Sequence, residues 1–183
     1  PNNFCTITGL SKWYSGDYNG DGKGELIIIG PSGAAVHSFS QHKTWSISLP
    51  GNDIIVTDLN GDLTSEIILL SSTGYSVYNL KYNAGGDYYY FNLKFSENSD
   101  YLKSSLLNKH LEGDFNGDGY SDLLVKGVTG WYILNFNGEK FASDSLSIPI
   151  DPTLDPFATN ADNSVYVRDL NSDYKSDIIV STT

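Results

Sequence analysis

Asp17-Tyr18-Asn19-Gly20-Asp21-Gly22-Lys23-Gly24-Glu25, followed at once by Leu26-Ile27-Ile28-Ile29, is a stretch that this chain uses four times. The nine-residue pattern returns as DLNGDLTSE at Asp58 to Glu66, as DFNGDGYSD at Asp114 to Asp122 and as DLNSDYKSD at Asp169 to Asp177. Successive copies start 41, 56 and 55 residues apart. Each runs straight into apolar residues: Ile67-Ile68-Leu69-Leu70, Leu123-Leu124-Val125 and Ile178-Ile179-Val180 in the later three. Eight residues beyond the last acid of the first three copies stands a glycine, Gly33, Gly74 or Gly130. An aromatic or β-branched stretch follows it, as in Tyr75-Ser76-Val77-Tyr78 and Trp131-Tyr132-Ile133-Leu134. A fixed register at such spacing is the mark of a repeat architecture.

Working outward, each copy reads as a small antiparallel sheet. A short strand enters the acidic loop, as in Ile54-Ile55-Val56-Thr57 or Ser164-Val165-Tyr166-Val167. The apolar run leaving it is too short for a helix and rich in β-branched residues, which predicts a buried strand. Gly30-Pro31-Ser32-Gly33, Ser71-Ser72-Thr73-Gly74 and Gly127-Val128-Thr129-Gly130 carry turn chemistry to a third strand. A fourth follows at Thr44 to Leu49, Tyr88 to Phe95 and Lys140 to Ile148. Four short strands per repeat predict the blades of an all-β β-propeller. The units fall near residues 11–50, 53–98, 108–150 and 163–183, about three and a half blades in a single repeat domain, the last of them incomplete. Ser99 to Leu111, with Leu102, Leu106 and Leu107 at helical spacing, predicts a short helix between units two and three. Pro149 to Pro156 predicts a loop before unit four. An array of this kind needs capping or closure. The expected sources are the remainder of a longer chain, another copy, or the segment Phe4 to Gly9.

The acidic loop carries the chemistry. Oxygen-bearing side chains at positions 1, 3, 5 and 9, with the main-chain carbonyl of position 7, can wrap one hard cation around a sharp turn that favours glycine. The candidate ligands are Asp17, Asn19, Asp21, the Lys23 carbonyl and Glu25; then Asp58, Asn60, Asp62, the Thr64 carbonyl and Glu66. The third set is Asp114, Asn116, Asp118, the Tyr120 carbonyl and Asp122; the fourth is Asp169, Asn171, Asp173, the Lys175 carbonyl and Asp177. All-oxygen ligation with three carboxylates favours Ca²⁺ over Zn²⁺, and over Mg²⁺, which keeps its waters. A helical EF-hand loop needs Glu at position 12; here that position holds Ile28, Leu69, Val125 and Val180. The first and third loops keep glycine at both turn positions. Leu63 replaces one in the second, and Ser172 and Tyr174 replace both in the fourth, so these two are expected to bind more weakly or not at all.

Composition frames the same reading. Of 183 residues, 22 are acidic against 11 basic, a net charge of −11. The four loops hold twelve of those acids, so the remainder is close to neutral, and four Ca²⁺ ions would bring the total to −3. Crowded carboxylates repel one another without a counterion, and a strongly acidic chain repels phosphate backbones, so nucleic acid is not an expected partner. No apolar run approaches the ~20 residues of a membrane-spanning helix. There is no signal-like start and no Met, which reads as a mature or excised piece. Cys5 is alone, so no internal disulfide forms. Neither it nor His37, His42 and His110 stands in a pattern for nucleophilic or acid–base catalysis, there is no phosphate loop, and no enzyme activity is expected.

The loops resemble the calcium loops of FG-GAP repeats (integrin α-subunit-like, or VCBS), with Gly30-Pro31-Ser32-Gly33 as the nearest echo of the Gly-Ala-Pro element. That resemblance implies a propeller in which the loop calcium is structural. It also implies company: adhesion receptors, propeller-shaped fungal lectins, polysaccharide-degrading enzymes and the B components of bacterial Tc toxins. The expectation is a Ca²⁺-stabilised recognition module, secreted or at the cell surface, binding a protein or carbohydrate ligand. The alternative is an architectural segment of a larger toxin or enzyme with no ligand of its own. Extracellular location follows from the metal, because modules outside cells bind calcium at ~10⁻⁴–10⁻³ M. Outward-facing aromatics, among them Tyr88-Tyr89-Tyr90 and Trp131-Tyr132, could serve such a ligand or pack between units.

Overall fold

The computed structural model of the chain describes residues 12–31, 33–49, 53–103, 110–126, 131–148 and 164–181. These form only antiparallel β-sheet, turns and irregular links. The first sheet is a meander of β1 (Lys12–Gly16), β2 (Glu25–Gly30), β3 (Gly33–Ser38) and β4 (Lys43–Ile47). The second repeats it with β5 (Ile54–Thr57), β6 (Glu66–Leu70), β7 (Gly74–Asn83) and β8 (Tyr88–Asn98). The third consists of β9 (His110–Gly113), β10 (Asp122–Lys126), β11 (Trp131–Phe136) and β12 (Phe141–Ile148). A two-stranded sheet of β13 (Ser164–Arg168) and β14 (Asp177–Ser181) follows. Every acidic loop joins the first strand of a sheet to its second.

In β6 the apolar run is continuous rather than alternating because both faces of the strand are covered, whereas β2 alternates buried and half-buried residues. Neighbouring side chains on a strand point to opposite faces. In β6, Ile67 joins a cluster with Ile27, Ile29, Val36, Trp45 and Ile47 of the first sheet. Ile68 and Leu70 instead join Leu123, Val125, Leu134, Phe136 and Phe141 of the third. The core is therefore two apolar seams, one on either side of the second sheet. Tyr18 and Leu59, at position 2 of the first two loops, are buried one in each seam. Their counterpart Leu170 is 64% exposed.

The expected helix over Ser99 to Leu111 finds no support in the residues described at its ends. Residues 99–103 are irregular and His110–Leu111 already belong to β9, while 104–109 lie outside the described residues. Leu102 is buried in the seam between the second and third sheets, so its apolar character reports packing rather than a helical face. The Gly127–Gly130 turn, the Pro149–Pro156 loop, the Phe4–Gly9 cover and Cys5 also lie outside the described residues.

β7 and β8 are longer than predicted, 10 and 11 residues, with a bulge between Val77 and Tyr78. Their far end reaches back over the first sheet. There Asp87, in the left-handed region at φ 53, accepts hydrogen bonds from Trp45 Nε1 (3.0 Å) and Tyr82 Oη (2.7 Å) and pairs with Lys43. Trp45 sits edge-on to Tyr82 and Tyr89 at 5.7 and 5.0 Å. This polar clasp closes the outer rim of the first seam.

Candidate metal centres

The four loops share a hydrogen-bond pattern, complete in all but the second, which follows from short Asp and Asn side chains turning back on their own backbone. The position-1 carboxylate gathers the amides of the turn. Asp17 Oδ1 accepts from Gly20 N (2.7 Å) and its Oδ2 from Gly22 N (2.7 Å); Asp114 and Asp169 repeat both bonds with Gly117 and Gly119, and with Ser172 and Tyr174. The asparagine at position 3 accepts from the amide of position 5, at 2.8 Å for both Asn19 and Asn116, 2.9 Å for Asn60 and 3.0 Å for Asn171. The aspartate at position 5 then accepts from position 7, at 2.8–2.9 Å from Asp21, Asp62, Asp118 and Asp173. All four sequence-predicted sets thus curl around their turns in the same way.

Positions 4 and 6 are left-handed in every copy, whichever residue is present. Gly20 and Gly22 have φ 75 and 77, and Gly117 and Gly119 have φ 83 and 87. Leu63 is held at φ 68, Ser172 at φ 63 and Tyr174 at φ 67. The shape demanded by the side-chain hydrogen bonds overrides the local preference of L-residues, at a cost of ~1–2 kcal/mol each.

The ninth-position acid has a distinct role. Glu25, Glu66 and Asp122 are buried, and each accepts from the main-chain amide of position 2, Tyr18 N, Leu59 N or Phe115 N. Glu66 also takes Asn79 Nδ2 (2.8 Å) and Asp122 takes Phe136 N (3.0 Å), both from the third strand of the sheet. Desolvation raises the pKa of all three, of Asp122 to about 6, against the lowering effect of those hydrogen bonds. A divalent cation nearby acts the other way, favouring the ionised form.

Among the described residues, no three His, Cys, Asp or Glu side chains cluster as ligands. The motif's donor set is mixed, two aspartates with an asparagine, a carbonyl and a largely buried acid. Its chemistry fits calcium: oxygen only, with several carboxylates on a flexible loop. One further observation bears on the fit. Asp58 Oδ1 is buried with no hydrogen-bond partner, whereas the same atom of Asp17, Asp114 and Asp169 takes the position-4 amide. An unsatisfied buried carboxylate oxygen is costly, and a cation would satisfy it.

The structure adds participants that the motif alone does not single out. Asn79 carries the ninth acid of the second loop from 13 residues away. Serine recurs at position 8 as Ser65, Ser121 and Ser176, and contacts the preceding loop. That recurrence was visible in the repeats, but its partner was not. The histidines are dispersed: His37 Nδ1 meets Thr44 Oγ1 at 2.8 Å, His110 pairs with Glu112 at 3.4 Å, and His42 occupies a turn at φ 51. Of the aromatics, Tyr89 and Trp131 are packed inside, while Tyr88 and Tyr90 point outward from β8.

Between the second and third sheets lies an open cleft of ≈ 530 Å³, bordered by Tyr75, Glu97, Asp100, Tyr101, Lys140 and Phe141. Tyr75 and Phe141 stack edge-on at 5.5 Å on its floor.

No protein-family model and no curated protein matches the chain. Solved structures do share its fold. An Agrocybe aegerita lectin, described as specifically recognising non-reducing terminal N-acetylglucosamine, superposes with TM-score 0.62 at 20% identity, over 95% of this chain and 48% of the lectin. The Photorhabdus luminescens Tc holotoxin pore superposes with TM-score 0.55 at 19% identity, over 93% of this chain and 8% of the toxin chain. This chain therefore spans about half of the one and a small part of the other.

Proposed function

We propose that the chain is part of a β-propeller of the FG-GAP/VCBS type that recognises carbohydrate without catalysis, its four loops holding structural Ca²⁺. The observation that carries the recognition reading is the likeness to a lectin over 95% of the chain. The cleft between the second and third sheets supports it. The half-buried Tyr101 ring beside Glu97, Asp100 and Lys140 suits a saccharide, which offers C–H faces to stack and hydroxyls to bond. Within the loops, Asp17, Asn19, Asp21, the Lys23 carbonyl and Glu25, with their equivalents, would hold the ion. Bound calcium supplies charge balance to crowded carboxylates and stiffens the turn. The dependence on extracellular calcium makes this a secreted or surface module.

A glycan array run with calcium and with chelator tests the reading, with the Tyr101→Ala and Glu97→Ala variants alongside. Binding lost in both variants supports it. Silence on every glycan overturns it in favour of a second reading, an architectural segment of a larger protein, to which the toxin likeness over 93% of this chain lends support.

A further inference from the structure

We propose that the loops act as one coupled file rather than as separate sites, with the position-8 serine of each following loop positioning the first ligand residue of the loop before it. This rests on the calcium reading above. Ser65 N donates to the Asp17 carbonyl at 2.7 Å, and Ser176 N donates to the Asp114 carbonyl at 2.6 Å. Between them, Ser121 Oγ donates to the Asp58 carbonyl at 2.7 Å and Ser121 N to the Leu59 carbonyl at 3.1 Å. All three junctions between consecutive loops join the position-8 serine to the position-1 carbonyl, through the main-chain amide in the first and third and through the hydroxyl in the second.

The loops are also in close contact. A Cβ on Gly61 would stand 2.8 Å from the Gly119 carbonyl oxygen, and one on Gly20 would stand 3.2 Å from Thr64 Oγ1. A Cβ on Gly16, just before the first loop, would stand 2.5 Å from Ser65 Oγ. The turn of one loop thus lies against positions 6 to 8 of the next, where a main-chain ligand and the ninth acid adjoin.

The consequence is energetic coupling. The position-1 aspartate organises its turn through its carboxylate and receives the neighbouring loop through its carbonyl. A cation that orders the carboxylate of Asp58 orders the same residue that Ser121 holds. Ser121 in turn lies between Tyr120, whose carbonyl is a candidate ligand, and Asp122. Ordering paid for by the first ion is not paid again at the neighbour, which is positive cooperativity by linkage.

Each loop has a built-in reporter, the position-6 amide that donates to the position-1 carboxylate: Gly22, Leu63, Gly119 and Tyr174. Calcium titration of the ¹⁵N-labelled chain, followed at these four amides, gives one midpoint per loop. Two variants test the link, with thermal melts confirming that each folds. Asp118→Asn weakens the third loop and is expected to raise the Leu63 and Tyr174 midpoints about threefold or more, the scale of one modest hydrogen bond. Ser121→Ala changes no candidate ligand and is expected to raise the Leu63 and Gly119 midpoints by a similar factor, with Ser121→Thr restoring them. Neighbouring midpoints unmoved in both variants overturn the coupling while leaving the calcium reading intact. No response of any amide to millimolar calcium overturns both.

Discussion

Leu63→Gly should make this protein more stable, although it removes a leucine. Leu63 is 80% exposed and held at φ 68 because its amide must reach Asp58 Oδ2, at 2.8 Å. The left-handed conformation costs an L-residue ~1–2 kcal/mol. Glycine adopts it freely but gains freedom in the unfolded chain, which takes back ~0.4–1 kcal/mol. The amide bond survives and little packing is lost, so a net gain of ~0.5–1 kcal/mol is expected, or roughly 2 °C in Tm for a chain of this size. Urea unfolding with an unchanged slope is the assay, since an altered slope would report a change in the unfolded state. The reciprocal variant is Gly22→Ala, at φ 77, where an added Cβ meets nothing within 4 Å. It isolates the backbone term and should lose ~1 kcal/mol. If Leu63→Gly destabilises, or Gly22→Ala is neutral, the loop shape is not what sets these energies.

Calcium should raise the Tm of chelator-treated protein at low salt; each site at a hundredfold excess over its Kd contributes ~2.7 kcal/mol. A melt indifferent to both EDTA and calcium refutes the metal reading. Ile68→Ala, which empties a fully buried position in the seam between the second and third sheets, should cost ~2–5 kcal/mol by denaturant titration. Asp87 gives an acid limb. Its hydrogen bonds from Lys43, Tyr82 and Trp45 lower its pKa to about 2, below the ~3.9 of an unfolded aspartate. The stability it adds is therefore present above pH ~4 and is lost as pH falls toward 2. Asp87→Asn should flatten that part of the stability–pH curve, and an unchanged curve would show that the clasp contributes nothing.

What could be read from the chain was whatever neighbouring residues settle among themselves. The loop is closed by bonds spanning two to seven residues, so aspartate, asparagine and glycine at fixed offsets announce it in each copy, and the β-branched runs beside it announce strands. The same logic failed at Leu102: burial against another sheet and burial on a helical face leave the same apolar residue in a sequence. It was silent where partners lie far apart. Asn79 meets Glu66 through the register of the β6–β7 pair, while Asp87 across from Trp45 and Ser121 against Asp58 are brought together by sheet packing, and no local preference encodes those pairings. That Leu63, Ser172 and Tyr174 take glycine's conformation also follows from local bonds, because the loop's own hydrogen bonds to Asp58 and Asp169 outweigh the strain on a single residue. Tertiary structure alone decided that the ninth acid is buried in the first three loops and that the four loops touch, since those facts depend on how one sheet lies against the next.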